Sequence, residues 1–134
     1  MLFSCTGLTS ISFPKLTTVS GSTGSSYILR ECSNLEKVYF PKLTTVTGNG
    51  AFLGAFFRCT ALTDIYFNSL KTSSFGSSIV NQFNSMMSGT GTSVVHTLHF
   101  PSNLQSTISG LTSYPNFGGT SGYVTLAFDL PATS

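Results

Sequence analysis

Few side chains in this sequence can do chemistry, and those few recur at fixed intervals. Cys5, Cys32 and Cys59 lie 27 residues apart in both steps, and Lys37–Asp64 and Tyr39–Tyr66 repeat the same spacing. His96 and His99 make a His-x-x-His. Three cysteines are an odd number for a disulfide framework, and structural zinc takes four ligands at Cys-x-x-Cys-like spacing, which is absent. Cysteines at one position of a repeat stack above one another, so all three are expected to be buried, reduced thiols without metal. On a strand with Val95, Leu98 and Phe100 facing inward, His99 would point outward with Thr97. His96 would sit at the rim, with Glu36 two coils away as its nearest acid, and the two imidazoles would not converge on a metal. There is no Ser–His–Asp pattern, no paired carboxylates and no phosphate-cradling loop. Gly89-Thr90-Gly91 and Gly118-Gly119 read as turns, since neither joins a strand to a helix as a nucleotide loop must. No cofactor, metal or catalytic residue is expected, and the chain reads as a non-enzyme.

The elements that position these residues are repeats. Cys5-x-x-Leu8-x-x-Ile11-x-Phe13-Pro14 returns as Cys32-x-x-Leu35-x-x-Val38-x-Phe40-Pro41 and as Cys59-x-x-Leu62-x-x-Ile65-x-Phe67-Asn68. Two degenerate copies follow, Val95-x-x-Leu98-x-Phe100-Pro101 and Tyr123-x-x-Leu126-x-Phe128. A fixed period in this range marks a solenoid, because one unit cannot bury its apolar face alone. The alternating, β-branched and aromatic ends predict strands at 8–13, 35–40, 62–67, 95–100 and 123–128. Each strand returns after a long connection, which makes the sheet parallel and sequential.

The fourth coil is longer, with 33 residues from Ile65 to Leu98 against 28 from Leu98 to Leu126. Pro14, Pro41 and Pro101 are expected to end strand pairing. Leu16/Val19 and Leu43/Val46 would then turn a second apolar pair inward. Ile79, Phe83 and Met86 fall at helical spacing, as do Leu104, Ile108 and Leu111. There Ser102 and Gln105 suggest a capping box, and Gly110 a helix end. The returns Gly21–Ser26 and Gly48–Gly50 are too rich in Gly and Ser to predict regular structure. The fold class is thus an α/β-type solenoid, a right-handed coil with about five parallel strands backed by turns and short helices. One domain spans 1–134, with coils starting near 5, 32, 59, 92 and 120.

Only 7% of the 134 residues are charged, against ~25% in a typical domain. With 40% hydrophobic residues the chain is not of the disordered class. A net charge of +2 without a basic cluster gives a nucleic-acid backbone nothing to grip. No apolar run reaches the ~18 residues of a membrane helix, so membrane insertion is not expected. The N-terminus lacks the charged and apolar regions of a signal peptide, and Leu2-Phe3-Ser4-Cys5 reads as the end of a repeat rather than a lipidation box.

The units resemble those of the leucine-rich repeat superfamily, in particular the BspA-like (Treponema-type) variety. Its units read Cys-x-x-Leu-x-x-Ile-x-Phe/Ile-Pro, then an apolar pair and an Ala-Phe before the next Cys. Ala51-Phe52 and Phe56 ahead of Cys59 match that last element. The 27-residue unit, the missing Cys in coils four and five and Asn68 in place of proline depart from it. The resemblance implies a surface or secreted recognition module of bacteria or their phages, and it brings no catalytic residues.

Outward strand positions form two columns: Ser12, Tyr39, Tyr66, His99 and Ala127, and Ser10, Lys37, Asp64, Thr97 and Thr125. At a strand spacing of ~4.8 Å, Tyr39, Tyr66 and His99 would make an exposed aromatic ladder beside a Lys37–Asp64 pair. These five residues are the candidate ligand-binding set, for a protein or carbohydrate. The alternative is a structural spacer within a larger bacterial surface or phage-tail protein. Leu2, Phe3, Leu8, Ile11 and Phe13 have no upstream coil to cover them. The chain is therefore expected either to be a fragment of a longer array or to self-associate through its first coil. At the other end, Pro131 within the segment from Asp129 to Ser134 would blunt the last edge.

Overall fold

The computed structural model describes residues 5–20, 29–48, 51–75, 83, 86–109, 117, 118, 120 and 122–133. Each regular coil starts with the Cys-x-x-Leu segment folding as a turn. The amide of Leu8 donates to the Cys5 carbonyl, Leu35 to Cys32 and Leu62 to Cys59. The strands follow this turn: β1 Ser10–Ser12, β3 Lys37–Tyr39 and β5 Asp64–Tyr66. They begin two residues later than the repeat pattern predicts, because the leucine amide is spent on the turn and cannot enter the ladder. Beyond each strand the ladder runs one bond further, from the Phe13, Phe40 and Phe67 amides to the next coil's Tyr39, Tyr66 and His99 carbonyls.

β6 (His96–Pro101) and β7 (Val124–Leu130) complete a five-stranded sheet in the order β1-β3-β5-β6-β7. Every pair is parallel, and Ile11, Val38, Ile65, Leu98 and Leu126 share one column. The chain is thus a right-handed solenoid, as its repeats require. The apolar pairs beyond the prolines form a second, two-stranded parallel sheet that the pattern did not reveal: β2 Thr18–Ser20 on β4 Thr45–Thr47. Val19, Leu43 and Val46 are buried and Leu16 half-buried. In the third coil the equivalent stretch is a turn instead, with the Lys71 amide donating 2.7 Å to Ser74 Oγ.

Proline closes the fourth strand from within it: buried Pro101 is the last residue of β6 and lies opposite Leu130. Two steps from His99 to Pro101 oppose three from Ala127 to Leu130, so the extra residue sits on β7, which bulges there. A 3₁₀ turn at Ser102–Leu104 and helix α1, Gln105–Ser109, follow directly. The cap position is Pro101, and Ser102 lies inside the first turn, so the Ser102–Gln105 capping box does not form. Gly110, Leu111 and Ile79 lie outside the described residues, as do Leu2, Phe3, Gly21–Ser26, Asn49 and Gly50.

The core is a stack of phenylalanines. Phe13, Phe40, Phe67, Phe100 and Phe128 lie ring on ring at 5.2, 5.3, 5.1 and 5.8 Å. Phe52 and Phe83 meet the stack edge-on from the return side, with Phe52 5.7 Å from Phe40 and Phe83 6.1 Å from Phe100. Both geometries are favoured by the ring quadrupole. Ala51, Phe52 and Phe56 are fully buried.

Candidate functional site

Strand alternation delivers the outward column as expected. Tyr39 and Tyr66 stack with centroids 5.0 Å apart and planes 5° from parallel, and Tyr66 and His99 at 4.4 Å and 9°. The separations match the strand spacing, so the rings stand upright on the sheet with their faces turned to one another. On its other side Tyr39 neighbours exposed Ser12 of β1. All three rings are half-buried, the His99 side chain being 12% exposed.

A charged row runs beside the rings. Lys37 Nζ donates 2.8 Å to Asp64 Oδ2, and His99 Nε2 lies 2.7 Å from Asp64 Oδ1. His99 Nδ1 lies 3.0 Å from both carboxylate oxygens of Asp129. The imidazole therefore bridges carboxylates from β5 and β7. Burial works to raise the Asp64 pKa, but hydrogen bonds from Lys37, His99 and Thr63 outweigh it and hold the carboxyl at about 2. The same hydrogen bond raises Lys37, and burial beside Asp64 raises the Tyr66 phenol. With both ring nitrogens engaged by carboxylates, His99 pins β5, β6 and β7 together. No metal-competent cluster of three or more His, Cys, Asp or Glu occurs among the described residues.

The structure thus brings Tyr39, Tyr66, His99, Lys37 and Asp64 together on one face and adds Asp129, which the repeat pattern had assigned only to the chain's closing segment. Its signal was legible: Asp129 sits two residues beyond Ala127 in the His99 column, within reach of a long polar side chain. His96 is a correction. It is buried rather than at the rim, and Val95, expected inward, is 49% exposed. The fourth coil lacks the Cys-x-x-Leu turn, so β6 starts earlier and strict alternation turns His96, Leu98 and Phe100 inward. The imidazole takes the space that a leucine fills in coils one to three. Nδ1 donates to the Leu62 carbonyl, and Nε2 has no hydrogen-bond partner among the described residues.

The cysteines are reduced, with Cys32 and Cys59 buried. Cys5 is half-buried, against expectation, because no preceding coil is seated over it among the described residues. Cys59 Sγ donates 2.9 Å to the Leu29 carbonyl, and burial pushes its thiol up to about 12. Burial likewise raises Cys32.

One further charged group escaped the repeat reading. Arg30 and Arg58 lie over the Phe57 ring, 5.2 and 4.9 Å from its centroid, with Glu31 Oε1 3.4 and 3.9 Å from their respective guanidinium nitrogens. Glu31, Arg58 and Gly89 take left-handed φ of 60, 59 and 73°. They form a column: the Glu31 amide donates to the Phe57 carbonyl and the Arg58 amide to that of Ser88. No helix among the described residues is long and apolar enough to cross a membrane. Comparison of the chain with family models, with curated proteins and with solved structures returns no match in any of the three.

Proposed function

We propose that the chain is a noncatalytic recognition or adhesion module whose strand face binds a protein or glycan, at the cell surface or in secreted form, in bacteria or their phages. The observation that carries this reading is the upright Tyr39–Tyr66 pair, flanked by Lys37 and Asp64 and open on its Ser12 side. Stiff aromatic groups with hydroxyl rims supply contact area at low entropic cost, which suits them to anchor a partner. The test is the double substitution Tyr39→Ala/Tyr66→Ala. It should abolish ligand capture on glycan arrays and in pull-downs while leaving the melting temperature within a few degrees.

The ring-on-ring packing also favours a second reading, a structural spacer within a larger surface or tail protein. Here the tyrosine faces serve each other rather than a ligand. A large stability loss in the double variant, with capture retained, would assign the column to that role.

A further inference from the structure

The solenoid exposes two unfinished ends, and they match. Among the described residues β1 pairs only with β3, β2 only with β4 and β7 only with β6. At the first end Ile11 and Phe13 are half-buried, and at the last end so are Leu126 and Phe128. Their counterparts in the middle coils, Val38, Ile65 and Leu98, are at most 1% exposed. We propose that one copy of this chain docks on another head to tail, with β7 of the first copy pairing in parallel with β1 of the second.

Several observations choose this occupant. The contact would continue the coil-to-coil interface already repeated inside the molecule: parallel strands, Ile11 opposite Leu126 and the Phe13 ring on Phe128. That extends a stack whose internal steps are 5.1–5.8 Å. Outside, Ser12 would face Ala127 and Ser10 would face Thr125, small side chains that do not clash. The same register brings exposed Lys15 next to Asp129, which is 55% exposed, so the charges are complementary. First end against first end would instead set the strands antiparallel, unlike every strand pair among the described residues. Among the described residues no strand pairs with the outer edge of β7. The Thr133 amide donates 3.0 Å to Asn103 Oδ1 and its Oγ1 donates to the Leu70 carbonyl, which turns the chain back toward coils four and three. A contact between two different surfaces does not close on itself, so it builds open chains of copies.

Blocking one end at a time gives the test. Under reducing conditions the mass of wild-type protein in light scattering should rise with concentration past the dimer. Ile11→Lys spoils only the first end and Leu126→Lys only the last, so each alone should weaken association by at least about tenfold. An equimolar mixture retains one good end of each kind and should form dimers that grow no further. Should either lysine unfold the chain, judged by circular dichroism, surface charges serve instead. Ser10→Glu/Thr125→Glu should weaken association and Ser10→Lys/Thr125→Glu restore it. A wild-type chain monomeric at every concentration overturns the proposal and leaves a covalently joined coil as the occupant of the edge. Leu126→Lys dimerising alone overturns it in favour of pairing between first ends.

Discussion

Coils one to three and coils four to five are built from one pattern with different rigour, and they solve the same packing problem differently. In the first group a Cys-x-x-Leu turn sets a three-residue strand, and every inward column carries the same residue class. In the second the turn is missing and the strands lengthen to six and seven residues. A histidine is buried at the start of β6, and its last residue, Pro101, lies opposite a bulge in β7. The short turn, rather than the strand, is what keeps the leucine column apolar. Remove it, and period-two alternation starts one residue further on and admits His96. Irregularity also creates the cross-coil clamp: Asp64 belongs to a regular coil, but His99 and Asp129 come from degenerate ones.

The largest effect should come from the regular half. Phe67, fully buried and ringed by Phe40, Phe52, Phe83 and Phe100, should cost ~3–5 kcal/mol on substitution by alanine in denaturant unfolding. Phe128→Ala, at the half-buried last coil, should cost less than half as much, ~1–2 kcal/mol. Equal losses would dissolve the distinction between the two regions.

Next comes the swapped pair at the start of β6. His96→Ala opens a cavity and orphans the Leu62 carbonyl, for a loss of about 2–3 kcal/mol. Val95→Ser, on the exposed side, should stay within ~0.5 kcal/mol of wild type. The reverse order would restore the alternation expected from the repeat alone.

The clamp predicts an acid-sensitive contribution. Folding lowers the Asp64 carboxyl from 3.8 to about 2, so its stabilisation is complete above pH ~4 and lost as the pH falls through 2. Stability measured against pH should show the wild type losing about 2 kcal/mol more than Asp64→Asn across that window. Parallel curves for the two proteins would mean that Lys37 and His99 do not hold the carboxylate.

The smallest effect leaves stability untouched and shows only in rates. Cys5, at the open first coil, should label fastest with a thiol reagent, Cys32 more slowly and Cys59 slowest, and all three should react on denaturation without reductant. Uniform labelling would mean that the first coil is as well covered as the third.

Much of this architecture was legible before any coordinates. The 27-residue interval of Cys, Leu, Ile/Val and Phe dictates a parallel solenoid, because only stacking lets each short unit bury its apolar side. The columns Tyr39–Tyr66–His99 and Lys37–Asp64 follow from the same register, since strand geometry alone sets which side chains point outward together. The inward turn of His96, the second sheet of β2 and β4, the β7 bulge opposite Pro101 and the bridge from Asp64 through His99 to Asp129 were decided only in three dimensions. Each depends on which backbone amide is already spent in a turn, or on two coils 30 or more residues apart meeting side by side. Local pattern carries neither quantity. Where the repeat is faithful, hydrogen-bond accounting is the same in every coil and sequence suffices; where it lapses, tertiary competition for the same donors chooses the outcome.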